Sequence, residues 1–371
     1  MSDSVLSETD SGITVIVPCA SPLASIDTRR PKWLLTTPTG ELLVVKAVKS
    51  IRSPRIVRTI VVFLKEVEDR FGVTESLRRA FPRDIECVIL DDRTVGPAAT
   101  VREVIRRANV KGSICIKDCD SFFEMPEDLP VGSSLAVSDI RAMASISEPG
   151  HKSFVRINEQ GLVVDIVEKD IISHLISVGL YGFSDAKVFC DEYDALTNSM
   201  GSVPTFVSHV IESCINNGCI FLPIVVKNFI DIGTIDDWNR YRANYPLFIL
   251  DIDGVIFRNQ SEFFPPYWED PVEAIETNIS HLRSLQEQGA QLIFVTARPE
   301  RYREKTAKAL ETVGLMVHAL IMGCLHGTRY LVNDYAPSNP FPSAVAINLR
   351  RNTGELPNML RGGVFGREQE L

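Results

Sequence analysis

Two aspartates set two residues apart, Asp251 and Asp253 in DIDGV, follow directly on the apolar run LFIL. Side chains at i and i+2 of a strand point the same way, so a strand ending here delivers both carboxylates together. Gly254 then lets the chain turn tightly beside them. Two carboxylates on one strand tip repel each other and call for a cation, and Mg²⁺, with its preference for oxygen ligands, suits the pair. With a metal screening phosphate charge, one aspartate can attack phosphorus while the other protonates the leaving oxygen. The chemistry expected from this segment is phosphoester cleavage.

Further along come VTARP (295–299), after the apolar run LIF, and LVND (331–334), at the end of another strand signal. In this order, and over about 246–350, the chain resembles the haloacid-dehalogenase-like (HAD) phosphatases. The resemblance implies Asp251 as nucleophile and Asp253 as general acid/base with its carbonyl on the metal. It also implies Thr296 as the hydroxyl that holds the transferring phosphoryl group and Asp334 as a metal ligand. Asn333 replaces an acid usual in the family. The third-motif cation is Arg329 or, as second choice, Lys305. Asp251 and Thr296 lie 45 positions apart, and Thr296 and Arg329 lie 33 apart. Neither gap holds a cap domain, which needs roughly 50 residues or more. A capless phosphatase is therefore expected, its specificity coming from loop 258–269, another subunit or the first domain. Phe263, Phe264, Tyr267 and Trp268 either line such a mouth or pack on a helix at 270–288. The segment 333–352 resembles the tail of HAD-type domains in capsular and other surface-polysaccharide biosynthesis proteins.

The longer N-terminal part carries a second series. A strand signal, ITVIVP, leads through a loop to Pro31-Lys32 and apolar residues. SICIKDCDSFF (113–123) ends a strand in Asp118 and Asp120. VVDIVEK (163–169) sets Glu168 and Lys169 at a strand end, and SVGLYGF (177–183) and FIDIGTIDDW (229–238) follow. Across about 12–243 this series resembles the sugar-phosphate nucleotidylyltransferases, which join a nucleoside triphosphate to a sugar phosphate and release pyrophosphate. The resemblance implies Asp120 and Asp231 as metal-binding acids, with Asp118 beside them. Lys32 would meet the triphosphate, and Lys169, after Glu168, the sugar phosphate. Gly96 and Gly179 would stand where backbone approaches base and sugar. Such a reaction crowds negative oxygens round one phosphorus, so a divalent metal and lysines must neutralise them.

The chain departs from that family at the first loop. The family has a GxGxR loop whose N–H groups hold the triphosphate. Here the stretch is Ala20-Ser21-Pro22-Leu23-Ala24-Ser25, without glycine, and Pro22 has no N–H to give. Arg29 or Arg30 would have to replace the arginine. Two readings stay open: an enzyme with an altered cradle, or a catalytically inactive module that binds a sugar phosphate or nucleotide and delivers it. An inert scaffold gives no reason to keep mutually repelling acids at strand tips.

The elements that must position these residues are strands alternating with helices, an α/β pattern. Strand signals stand at 13–18, 59–64, 86–90, 113–117, 133–138, 152–157 and 220–226, and a helix is expected over 97–109, with Pro97 in its first turn. A second alternation begins at 247–250, with helix 270–288, strand 291–295, helix 299–313 and strand 329–333. The expected fold is a nucleotidylyltransferase-like, Rossmann-like domain over 12–245 with a mixed, mostly parallel sheet. A HAD-like Rossmannoid domain without a cap follows over 246–352, and a loosely ordered tail over 353–371.

Composition narrows the classes. With 371 residues, 45% hydrophobic and 23% charged, the chain is long enough for two domains and too apolar for disorder. A net charge of −9 argues against nucleic acid, and no apolar run of about 18 residues suits a membrane span. The first residues lack the features of a signal peptide, so a cytoplasmic enzyme is expected. The 8 cysteines form no CxxC and read as buried small residues in a reducing compartment. The expected cofactor is Mg²⁺. The expected partners are a sugar or polyol phosphate and a nucleoside triphosphate, with homo-oligomerisation open. The sequence reading is thus a bifunctional enzyme of surface-polysaccharide precursor synthesis.

Overall fold

The computed structural model describes residues 12–20, 30–81, 83–143, 150, 152–200, 204–243, 245–259, 268, 273–333 and 344–363. The chain falls into two compact units, Met1–Asp237 and Trp238–Leu371. The division lies inside a helix, where the sequence reading sets the domain boundary near Pro246. No described helix is long and apolar enough to cross a membrane.

The first unit is built on strands β1 (Ile13–Pro18), β2 (Ile56–Leu64), β3 (Glu86–Leu90), β4 (Ile114–Lys117), β5 (Ser121–Glu124), β6 (Ser133–Asp139), β7 (Ser153–Ile157), β8 (Val163–Glu168), β9 (Leu175–Phe183), β10 (Phe221–Val225) and β11 (Lys227–Asp231). Its helices are α1 (Leu43–Lys49), α2 (Lys65–Phe71), α3 (Val73–Ala80), α4 (Pro97–Arg107), α5 (Ala186–Met200) and α6 (Val207–Asn216), and α7 (Ile235–Ala243) carries the division. Nine strands form one sheet in the order β3-β2-β1-β4-β9-β6-β10-β8-β7, while β5 and β11 form a separate ribbon. The β-branched runs are buried through both faces of the central strands, with Val15, Ile16, Val17, Ile60, Val61 and Val62 all at or below 1% exposure.

The sheet is mixed, as expected. β3, β2, β1 and β4 run parallel, as do β6 and β10, while β9 lies antiparallel to β4 and β6, and β8 lies antiparallel to β7 and β10. The turn between β7 and β8, closed by Gly161 N donating to the Asn158 carbonyl, is short enough for a hairpin, whereas parallel neighbours need a long crossover.

In the second unit β12 (Leu247–Asp251), β13 (Gln291–Val295) and β14 (Ala319–Ile321) form a parallel sheet with α8 (Glu276–Glu287), α9 (Arg303–Thr312) and α10 (Leu356–Gly363). Leu292, Phe294, Ile279, Leu282 and Leu310 are fully buried between sheet and helices, each contributing about 1.5–3 kcal/mol. Two expectations fail in this unit. Residues 329–333 form no strand, and Tyr330 and Val332 are 85% and 89% exposed. Strand propensity needs a neighbouring strand and a packed face to act, and no described strand pairs with the open edge of β12. The supposed loose tail contains α10, whose Leu356 is 3% exposed and belongs to the core.

Candidate functional sites

In the first unit, every residue of β4 is buried, and its last residue is a lysine. Lys117 has no exposed surface. Its Nζ donates to the Asp118 carbonyl (2.8 Å), the Ser121 carbonyl (2.7 Å) and Ser121 Oγ (2.8 Å), and Ser121 Oγ donates to the Val178 carbonyl (3.0 Å). One buried ammonium therefore ties both ends of the turn that presents Asp118 and Asp120. Burial, only partly opposed by those carboxylates, lowers the Lys117 pKa.

Gly179 fixes Asp118. Asp118 N donates to the Gly179 carbonyl (2.9 Å), and a Cβ on Gly179 would lie 2.7 Å from Asp118 Cβ. Gly179 also has φ +78°, a conformation that costs little only without a side chain. The glycine thus serves the close approach of Asp118.

The second acid arrives through the ribbon. β11 pairs antiparallel with β5, setting Asp231 opposite Ser121, and Ile232 N donates to the Asp120 carbonyl (2.9 Å). Pro31 opens a 3₁₀ turn (Lys32–Leu34), from which Lys32 Nζ pairs with Asp120 Oδ2 and donates to the Gly233 carbonyl at 3.3 Å. Lys152 Nζ pairs with Asp231 Oδ2.

These acids differ in their protonation. Burial first, and then the charge of Asp120, lifts the Asp118 carboxyl to about 6. Burial would lift Asp120 as well, but the Lys32 ammonium outweighs it and the carboxyl lies below its ordinary value. Burial raises Asp231 despite Lys152.

Among the described residues no three His, Cys, Asp or Glu side chains gather as a cation site. Asp120 and Asp231 nevertheless fit Mg²⁺, which commonly takes one or two carboxylates and completes its shell with water and phosphate oxygens. Their negative charge is now matched by two ammonium groups of the chain itself.

The remaining first-unit residues separate into two places. β7 and β8 bring Ser153 opposite Glu168, and the hydroxyls of Ser153 and Ser208 both donate to Glu168 Oε2, the latter at 2.7 Å. Lys169 has φ +61°; its N donates to the Lys152 carbonyl (3.0 Å) and its Nζ stands 5.0 Å from the Phe206 ring centre. Gly96 caps α4, where a Cβ would lie 2.9 Å from the Thr205 carbonyl oxygen, so it serves that contact. Residues 21–29, including Arg29, lie outside the described residues.

In the second unit the two aspartates of DIDGV have different partners. Asp251 Oδ1 accepts from Ile252 N (2.9 Å) and from Arg329 Nη2 (3.2 Å), both side chains being partly exposed. Asp253 accepts a two-pronged bond from Arg298, at 3.0 Å from Nε and 2.7 Å from Nη2. Arg298 is 2% exposed, reaches Thr306 Oγ1 (3.2 Å) through Nη1, and donates its backbone N to Thr296 Oγ1 (3.1 Å). Register sets Asp251 opposite Val295, so Asp251, Asp253 and Thr296 share one end of the sheet. Gly254, with φ +93°, turns the chain directly after Asp253, and a Cβ there would lie 2.8 Å from Arg351 Cγ. Trp268 packs on Tyr302, ring centres 5.7 Å apart. Asp334, Phe263, Phe264 and Tyr267 lie outside the described residues.

No family model and no curated protein matches the chain. Solved structures do. The nucleoside-diphosphate-sugar pyrophosphorylase from Vibrio cholerae RC9 is 19% identical with a TM-score of 0.51, covering 62% of this chain and 99% of its own. The inositol-1-phosphate CTP transferase from T. maritima is 18% identical with a TM-score of 0.50, covering 61% and 91%. The N-terminal region has a nucleotidyltransferase-like fold.

Sequence reasoning missed Lys117, Lys152 and Arg298. Lys117 had a signal, a lysine ending an apolar strand just before two acids. Arg298 lies inside VTARP and was passed over for Thr296. Lys152 had none, because only the antiparallel edge strands bring it to Asp231.

Proposed function

We propose that the first unit transfers a nucleotidyl group from a nucleoside triphosphate to a sugar phosphate. A phosphate oxygen of the sugar phosphate would attack the α-phosphorus, and the bond to the β-phosphate would break, releasing pyrophosphate. The observation that carries this reading is the ribbon pairing that sets Asp231 beside the Asp118–Asp120 turn, with Lys32 and Lys152 in contact. Asp120 and Asp231 would hold Mg²⁺, which supplies positive charge to the phosphate oxygens. Lys32 and Lys169 would bind phosphate oxygens as point charges, and the buried Lys117 keeps the acidic turn in one shape. The nucleotidyltransferase-like fold supports the same reading.

For the second unit we propose hydrolysis of a sugar or polyol phosphate. Asp251 would be the nucleophile, Asp253 the general acid/base and Thr296 the phosphoryl-binding hydroxyl. Arg329 would be the neutralising cation, and Mg²⁺ would be held with Asp334. The contact of Arg329 with Asp251 supports that assignment of the cation. Together the two activities would serve intracellular synthesis of surface-polysaccharide precursors.

A second reading rests on Asp120 and Asp231 each having a lysine partner already: the first unit binds and delivers a sugar phosphate without turnover. Purified protein with Mg²⁺, nucleoside triphosphates and a panel of sugar phosphates separates the readings. Pyrophosphate release abolished by Asp231→Asn supports transfer, while calorimetric sugar-phosphate binding without release supports delivery. Orthophosphate release that survives intact in Asp251→Asn sinks the phosphatase assignment.

A further inference from the structure

Among the described residues, Lys152 is the one cation in the acidic cluster that no sequence motif announces. It precedes β7, and its carbonyl accepts from the backbone of Lys169, so the two lysines form one step at the end of the β7–β8 hairpin. Lys169 turns its ammonium to the face of Phe206, whereas Lys152 turns its own to Asp231. Both members of the Lys152–Asp231 pair are only about one-fifth exposed, at 20% and 22%. Glu168, between the hairpin ends, already takes the hydroxyls of Ser153 and Ser208.

We infer that Lys152 is a built-in counter-ion that Asp231 exchanges for a divalent cation, and that the displaced ammonium then binds a phosphate group of the incoming substrate. An ammonium and a divalent cation on the same Oδ2 would stand within a few ångströms and repel. Lys152 is therefore the partner that Asp231 would give up in order to hold a divalent cation. The nearest new negative charge is the phosphate that the cation brings, and a four-carbon stem lets the ammonium swing to it. The role of Asp231 toward a cation rests on the function proposed above, but the exchange can be measured without turnover.

The test compares the full chain with Lys152→Met and Lys152→Arg, each checked for native circular dichroism. Mn²⁺ binding is followed by electron paramagnetic resonance with no nucleotide present, and inorganic pyrophosphate binding by calorimetry at saturating Mn²⁺. Losing the competing ammonium should tighten Mn²⁺ about tenfold in Lys152→Met and weaken pyrophosphate about tenfold, two opposite changes. Lys152→Arg, which keeps the charge, should bind Mn²⁺ as the parent does. A folded Lys152→Met with unchanged or weaker Mn²⁺ binding overturns the exchange, and unchanged pyrophosphate affinity overturns the phosphate role. Failure of the parent to turn over any nucleotide and sugar phosphate would sink the proposed reaction and leave the exchange standing.

Discussion

Replacing Gly179 with alanine tests the packing that holds Asp118. The new Cβ would lie 2.7 Å from Asp118 Cβ, where carbon atoms rest near 3.5 Å or more, so Asp118 must retreat by about 0.8 Å. It cannot do so freely, because its own N–H bonds the Gly179 carbonyl and Lys117 ties its carbonyl to Ser121. Overpacking of this kind costs about 1–3 kcal/mol. The backbone at φ +78° adds about 1–2 kcal/mol for any residue with a Cβ. The sum, about 2–5 kcal/mol, corresponds to a melting point lower by roughly 4–20 °C for a unit of this size. Calorimetric melting of the parent, Gly179→Ala, Asp118→Gly and the double variant should recover the clash share, about 1–3 kcal/mol, as coupling between the two sites. The backbone share should persist in the double variant. A single Gly179→Ala variant that melts with the parent, or a double variant with no coupling, refutes the argument.

Three further outcomes follow from the same contacts. The Asp118 carboxyl is lifted to about 6 from an ordinary 3.8, so the native state binds more protons than the unfolded chain between those values. Its contribution to stability is therefore lost as pH rises from about 4 to about 6, and urea melts should find Asp118→Asn gaining on the parent across that window by roughly 2 kcal/mol; a constant difference contradicts this. Arg298→Ala leaves the Asp253 carboxylate without its buried partner and should cost about 3–5 kcal/mol in denaturant unfolding of the second unit. Arg298→Lys, which keeps charge but not the fork, should recover only part. Asn278, with no exposed surface, donates to the carbonyls of Val255 (2.9 Å) and Thr353 (3.0 Å) and accepts from Leu356 N (3.3 Å). Asn278→Leu should cost about 2–4 kcal/mol and expose α10 to amide exchange; unaltered protection of α10 would refute the link.

The strands were legible because their signals are local. ITVIVP and QLIFV carry β-branched and apolar runs bounded by turn residues, and the observed β1 and β13 coincide with them. Strand direction was not legible, since β9 runs antiparallel to β4 for reasons of tertiary connection that its residues do not encode. The opposite failure occurred at 329–333, where β-prone residues form no strand for want of a neighbour. In the site, acids at strand ends stood out by type and spacing. Their partners did not: Lys152 and Arg298 matter through contacts with Asp231 and Asp253 far along the chain. The two aspartates of DIDGV also show a limit of the i, i+2 argument. Asp251 closes β12 while Asp253 already lies in the turn, and so each meets a different arginine.

The β5–β11 ribbon also dictates when the acidic cluster can exist. β10, the last strand to join the large sheet, ends at Val225, and β11 begins at Lys227. A chain emerging from the ribosome can therefore complete its entire main sheet while Asp120 still lacks Asp231. With β10 already paired to β6 and only Val226 separating it from β11, the step that then brings Asp231 opposite Ser121 closes a short loop and costs little further entropy. Until that closure the half-built turn has only its lysines for company, and ligands that need both carboxylates can act only on a finished protein.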